Sequence, residues 1–166
     1  MGEPMSDAAI RICFVCLGNI CRSPTAEGVM KHLVKEAGLA ERFEISSAGT
    51  GAYHVGERAD ARSAAAALRQ GIELTSEARQ FVADDFDRFD YVVAMDRKNH
   101  AHLVQLARRA ADRDKIQLLR TFDALAKIHD VPDPYFEDNF DEVFEICRAG
   151  CAGLLEHIVR ERELSR

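Results

Sequence analysis

No run among the 166 residues approaches the length of a membrane-spanning helix, and Met1 to Ala9 has neither the basic start nor the apolar stretch of a secretion signal. These absences predict a cytoplasmic protein with no membrane contact, its residues 1–9 forming a flexible N-terminus. Basic runs are also missing: 22 Lys and Arg against 28 Asp and Glu give a formal charge of −6, which argues against a nucleic-acid partner. Any anionic substrate must therefore meet local positive potential. Five cysteines, an odd number at irregular spacing, do not form a disulfide framework and read as reduced thiols, with Cys147 and Cys151 four apart in a helical pattern as core residues. The six histidines form no HxxxH or CxxC arrangement with the cysteines, so neither a metal nor another cofactor is expected. Repeats and linker-like boundaries are absent too. The chain reads as one domain over residues 1–166, with monomer as the default state.

What is present is a globular composition, 47% apolar and 30% charged. Ile10 to Val15 is a short apolar run rich in β-formers, followed by a Gly-containing stretch and a helical pattern. The spacing of Val29, Met30, Leu33, Val34 and Ala37 marks that helix, with Ser23 as its cap, Pro24 at the first helical position and Gly38 as its stop. Phe43 to Ala48 reads as a second strand, Asp60 to Gln70 as an Ala-rich helix, Tyr91 to Met95 as a third strand, and Asp96 as the cap of a helix running to about Ala110. Lys115 to Leu119 is a fourth strand and Phe140 to about Arg162 a closing helix, with a long loop between them. Apolar strands alternating with helices predict a single α/β domain: a central four-stranded parallel twisted sheet with helices on both faces. Such sheets bind ligands outside the carboxyl ends of their strands, where Cys16 falls.

The stretch Cys16-Leu17-Gly18-Asn19-Ile20-Cys21-Arg22-Ser23 joins a strand end to a helix start, a place where successive backbone N–H groups converge on an anion. Gly18 and Asn19 tolerate the positive φ of a tight nest, the helix behind adds positive potential, and Arg22 supplies a planar fork for two phosphate oxygens. Such a setting favours the thiolate, which makes Cys16 a nucleophile, and the Ser23 hydroxyl is placed to donate to its sulfur. Cys13, inside the strand, reads as core. Cleavage of a phosphoester also needs a proton donor for the leaving alcohol, and Val131-Pro132-Asp133-Pro134-Tyr135 offers Asp133 on the same edge of the sheet.

At these residues the sequence resembles the low-molecular-weight protein tyrosine phosphatases. The likeness rests on VCLGNICRSP, the Asp-Pro-Tyr at 133–135, Ser46-Ser47-Ala48-Gly49-Thr50, Ala78-Arg79-Gln80 and Asp90 to Asp96, and it runs from Ile10 to the end. It implies a phosphocysteine on Cys16, Arg22 as phosphate clamp, Asp133 as general acid and then base, and no metal. It further implies that Asn19 and Ser47 support the loop, that Leu17, Tyr53 and Tyr135 wall the slot for the phosphotyrosine ring, and that Cys21 can form a reversible disulfide with Cys16. Oxyanion analogues of phosphate should bind the same loop. Two departures stand out: Glu77 where animal members carry a loop-supporting histidine, and Phe136 where they carry a second tyrosine. The loop from Thr50 to Glu57, with Tyr53-His54, is similar to bacterial-type members, for which a bacterial tyrosine kinase or its targets would be the phosphoprotein partner. Two other readings share the scaffold. A thioredoxin-coupled arsenate reductase needs two further cysteines after the second helix, and none lies between Ala61 and Ile146. A silent phosphotyrosine-binding module has no need of both Cys16 and Asp133.

Overall fold

The computed structural model describes residues 8–165; of the terminus expected to be flexible, only Ala8 and Ala9 lie within the described residues. Four short strands, β1 (Ile10–Cys16), β2 (Phe43–Gly49), β3 (Tyr91–Ala94) and β4 (Ile116–Leu118), pair in parallel in the order β2-β1-β3-β4. Among the described residues seven α-helices surround them: α1 (Arg22–Glu36), α2 (Ala61–Arg69), α3 (Asp85–Arg88), α4 (Arg97–Leu106), α5 (Ala110–Asp114), α6 (Pro134–Glu137) and α7 (Phe140–Glu161). The expected single α/β domain, with helices on both faces of a four-stranded parallel sheet, is the fold found.

The period-2 geometry of β1 divides the core. Ile10, Ile12 and Phe14 pack on one face among Val29, Met30, Phe144, Cys147 and Leu154 from α1 and α7. Cys13 and Val15 point the other way, to Phe81, Phe86 and Leu103. With both faces covered, strands this apolar have no solvent side, which is why their sequences run without alternation. From β1 the chain passes to β2 on one side and then crosses back to β3 on the other. The carboxyl end of β1 is thus the point where the winding reverses and a crevice opens.

Local readings needed correction at three places. Ser23 does not cap α1; Cys21 holds the N-cap position without a side-chain cap bond, and Pro24 sits in the third helical position. The helix after Asp96 ends at Leu106, because Ala107 is extended (φ −63°, ψ 138°) and Arg108 bonds to both Asp87 and Asp112 as the chain turns into α5. The fourth strand is only three residues long, since Leu119 already begins a 3-10 turn through Phe122. The other boundaries agree within about a residue.

Candidate active site

The loop from Cys16 to Arg22 is held open from outside by its own carbonyls. Those of Cys16, Leu17 and Ile20 accept from the amides of Thr50 (2.8 Å), Gly51 (3.0 Å) and Asp60 (2.8 Å), and that of Cys21 from Thr25 (3.2 Å). Across a trans peptide the next N–H points opposite to the carbonyl, so the amides of Leu17, Gly18, Cys21 and Arg22 face the hollow. A hollow lined in this way, at the head of a 15-residue helix, has the form of an anion nest.

Asn19 sets its shape. Its backbone lies in the left-handed region (φ 58°) and its amide donates to Cys16 Sγ at 3.3 Å. The buried side chain uses both ends: Nδ2 donates to Ser23 Oγ (2.8 Å) and Ser47 Oγ (2.9 Å), while Oδ1 accepts from the Arg79 amide (3.0 Å). Ser23 Oγ accepts from Asn19 and lies 3.0 Å from Cys16 Sγ and 3.4 Å from the Ala48 carbonyl, so its hydroxyl hydrogen is within reach of the sulfur. Ser47 in turn donates to the carboxylate of buried Glu27 (2.6 Å), which Lys31 neutralises (2.6 Å). Gly18 differs from expectation, since its φ is not positive. Its missing side chain matters for space, because a Cβ there would meet His54 Cδ2 at 3.0 Å. Gly49 works alike, as a Cβ would lie 2.7 Å from the Leu17 carbonyl oxygen.

Arg22 is only 4% exposed. Nη1 donates to Asp96 Oδ2 (2.7 Å) and to the Val131 carbonyl (3.0 Å), and Nη2 lies 3.7 Å from Asp133 Oδ2. Burial works to lower the Arg22 pKa, and the negative charge at Cys16, Asp96 and Asp133 more than offsets it, so the guanidinium stays charged. Asp133 is partly exposed, caps α6 by accepting from the Tyr135 amide (3.0 Å), and stands beside the hollow.

Above the loop opens a cavity of about 380 Å³ lined by Cys16, Leu17, Ile20, Arg22, Tyr53, His54, Asp133, Tyr135 and Phe136 among others. Leu17 (43% exposed), Tyr53 (74%) and Tyr135 (46%) rim it, as an aromatic slot requires. The structure therefore brings together every sequence-nominated residue, with Ser47 in the support behind. Cys21 is a buried member of the loop, and burial pushes its thiol up to about 12. Among the described residues, no group of three or more His, Cys, Asp or Glu could hold a metal ion.

Sequence reasoning missed four participants. Asp96 was legible only as a helix cap, yet its second oxygen aims Arg22. Glu27 has no motif to mark it, yet it is buried and accepts from Ser47 at the end of the Asn19–Ser47 chain. Glu77, which stands where animal members carry a loop-supporting histidine, is exposed and bridges to Arg58 through its backbone. His54 and Phe136 line the slot, and no motif announced either role.

The sequence profile of the family described as low molecular weight phosphotyrosine protein phosphatase matches residues 11–164. A low molecular weight protein-tyrosine-phosphatase of Streptomyces coelicolor is 46% identical over 156 residues, covering 92% of this chain and 94% of the relative. The human low molecular weight phosphotyrosine protein phosphatase is 36% identical over 148 residues, 87% and 93% of the two chains. The crystal structure of YfkJ from Bacillus subtilis superposes with a TM-score of 0.89 at 37% identity, covering 93% of this chain and 97% of that one. Among the described residues no helix is long and apolar enough to cross a membrane. With loop, clamp and carboxylate assembled at one strand end and likeness along nearly its whole length, the chain belongs to the low molecular weight phosphotyrosine protein phosphatase family.

Proposed function

We propose that the protein hydrolyses phosphotyrosine and related aryl phosphates through a phosphocysteine on Cys16. The observation that carries this reading is the position of the Cys16 sulfur, which accepts from the Asn19 amide and shares one hollow with Arg22 and with Asp133 on its rim. The sulfur attacks phosphorus, and the P–O bond to the phenol breaks as Asp133 gives the departing oxygen its proton. Asp133, now a carboxylate, takes a proton from water as that water attacks the phosphocysteine, and the thiolate leaves towards the Ser23 hydroxyl. Arg22 and the nest hold the charge on the equatorial oxygens through both steps.

The slot accounts for selectivity: a flat aryl group fits between Leu17, Tyr53 and Tyr135, and its length brings phosphorus down to Cys16. Phosphoserine is too short to reach past those rims. The phosphoprotein partner on this reading is a bacterial tyrosine kinase or one of its targets, supported by the likeness of the Thr50–Glu57 loop to bacterial-type members. The enzyme acts as a monomer in the cytoplasm. Under oxidation, a sulfenic acid on Cys16 condenses with the protonated Cys21 thiol, releasing water and forming a disulfide that guards the nucleophile.

The test is p-nitrophenyl phosphate turnover at mildly acidic pH for wild type, Cys16→Ser and Asp133→Ala, followed by phosphotyrosine against phosphoserine peptides. Loss of activity in Cys16→Ser, a large fall in Asp133→Ala and a clear phosphotyrosine preference are expected. Turnover by Cys16→Ser, or a silent wild type, removes the nucleophile assignment.

A further inference from the structure

We propose that Arg62 is a positioning residue, a strut that holds the arm carrying Asp133 and Tyr135 against the phosphate-binding loop. The inference rests on the phosphatase reading above and concerns a residue outside the catalytic set.

The strut has two anchored ends. At one, the Asp60 amide donates to the Ile20 carbonyl of the loop at 2.8 Å. The Asp60 carboxylate then takes the Arg62 guanidinium through a two-point contact, Nε to Oδ1 and Nη2 to Oδ2, each 3.1 Å. At the other end the guanidinium carbon lies 5.5 Å from the Tyr135 ring centroid and 4.6 Å from that of Phe140, within the range of attraction between a cation and a ring face. Tyr135 donates its amide to Asp133, so the ring that Arg62 holds and the carboxylate that must meet the leaving oxygen belong to one short turn. Phe140 begins the long α7, packed on α1, and gives the strut a fixed backing. The connection from Ile20 to Asp133 thus runs through Asp60, Arg62 and Tyr135. By contrast, Asp133 itself faces Arg22 at 3.7 Å, too far for a close hydrogen bond, and the bonds of Val131 to Arg22 and Met95 hold only the near end of the arm.

The consequence is chemical. Phenol, with a pKa of about 10 like the tyrosine side chain it mimics, needs a proton as it leaves. The more acidic p-nitrophenol departs as its anion. A loosened arm therefore slows the first step for phenyl phosphate and spares p-nitrophenyl phosphate.

Arg62→Gln keeps the backbone bond by which Asp60 caps α2, so the helix start survives the change. One exposed contact between a cation and a ring corresponds to about a twofold to fivefold effect. With the arm also freed from Asp60, kcat/KM for phenyl phosphate should fall about threefold to tenfold, against less than twofold for p-nitrophenyl phosphate. Arg62→Lys keeps the charge but loses the two-point fork, and should recover part of the phenyl phosphate loss. Urea midpoints are measured alongside. An equal fall on both substrates means a merely structural residue, and no fall on either means no strut; both overturn the proposal. Failure of the phosphatase reading looks different, with wild type inactive on both esters or Cys16→Ser still active.

Discussion

Asp96 uses its two carboxylate oxygens for two tasks, and two substitutions separate them. Oδ1 accepts from the Asn99 amide at 2.7 Å and, with the Asn99 side chain bonding back to the Asp96 amide, completes a capping box on α4. Oδ2 accepts from Arg22 Nη1 at 2.7 Å, fixing a guanidinium buried among the loop, Val131 and Asp133. Asp96→Asn keeps the carbonyl oxygen for the cap but turns an N–H group on the guanidinium's own N–H. A hydrogen bond to a charged group is worth about 1.5–3 kcal/mol, so the Asn variant should lose about 2 kcal/mol. Asp96→Ala loses the cap as well, which adds about 1 kcal/mol. At about 2–4 °C per kcal/mol for a domain of this size, melting should drop by about 4–8 °C for Asn and about 6–12 °C for Ala. Activity should separate from stability: a misaimed Arg22 costs both variants up to about a hundredfold in kcat/KM, as for other small displacements of catalytic groups. Calorimetry and steady-state kinetics on the three proteins decide it. Full kcat/KM in Asp96→Asn would show that Arg22 is aimed by something else, and equal melting of both variants would show that the cap contributes nothing.

Asn19→Ala removes three side-chain hydrogen bonds, two of them buried, at about 1 kcal/mol each and leaves alanine in a left-handed conformation costing about 1 kcal/mol more. Urea unfolding should register a loss of about 4 kcal/mol, and a loss below about 1 kcal/mol would show that the network does not hold the loop. A third prediction concerns alkaline pH. Burial, together with donation to Glu161, raises the Tyr91 phenol from 10.0 to about 12. The neutral form is thus favoured in the folded state, its contribution being complete below the unfolded value and lost as pH climbs through the folded one. Stability should fall between pH 10 and 12, with the buried Cys13 and Cys147 thiols, raised from 9.0 to about 12, adding to the slope. Tyr91→Phe should make that fall shallower; unfolding curves parallel to those of wild type would contradict it.

The sheet was legible because each strand is an apolar run ended by a clear break, and the catalytic loop because Cys, Gly, Asn, Arg and Ser fall at spacings that wrap an anion. Ser23 shows where such reading stops. A serine before a proline is the common form of a helix cap, but here the hydroxyl is drawn to Cys16 Sγ and Asn19, an environment visible only once the strand and helix are side by side. Asp96 is a related case: local rules find its capping oxygen, whereas the oxygen on Arg22 answers to a residue 74 positions away. The break at Ala107 depends on Arg108 reaching Asp87, 21 residues back, which no window along α4 contains. Arg62 carries no motif of any kind, since its rings lie on α6 and α7. Contacts between neighbours in sequence could be read, and distant ones only where a motif marked both partners, as for Cys16 and Asp133.

The covalent intermediate is the centre of the account, and rapid acid quench with intact-mass analysis reaches it directly. Asp133→Ala should form the phosphoenzyme from p-nitrophenyl phosphate, whose leaving group needs little help, and then hydrolyse it slowly for want of a base. One phosphoryl group should appear on the protein, map to Cys16, and be missing from the Cys16→Ser, Asp133→Ala double variant. A phosphoryl group on another residue, or product formation with no phosphoprotein at any quench time in either Asp133→Ala or wild type, would contradict the mechanism.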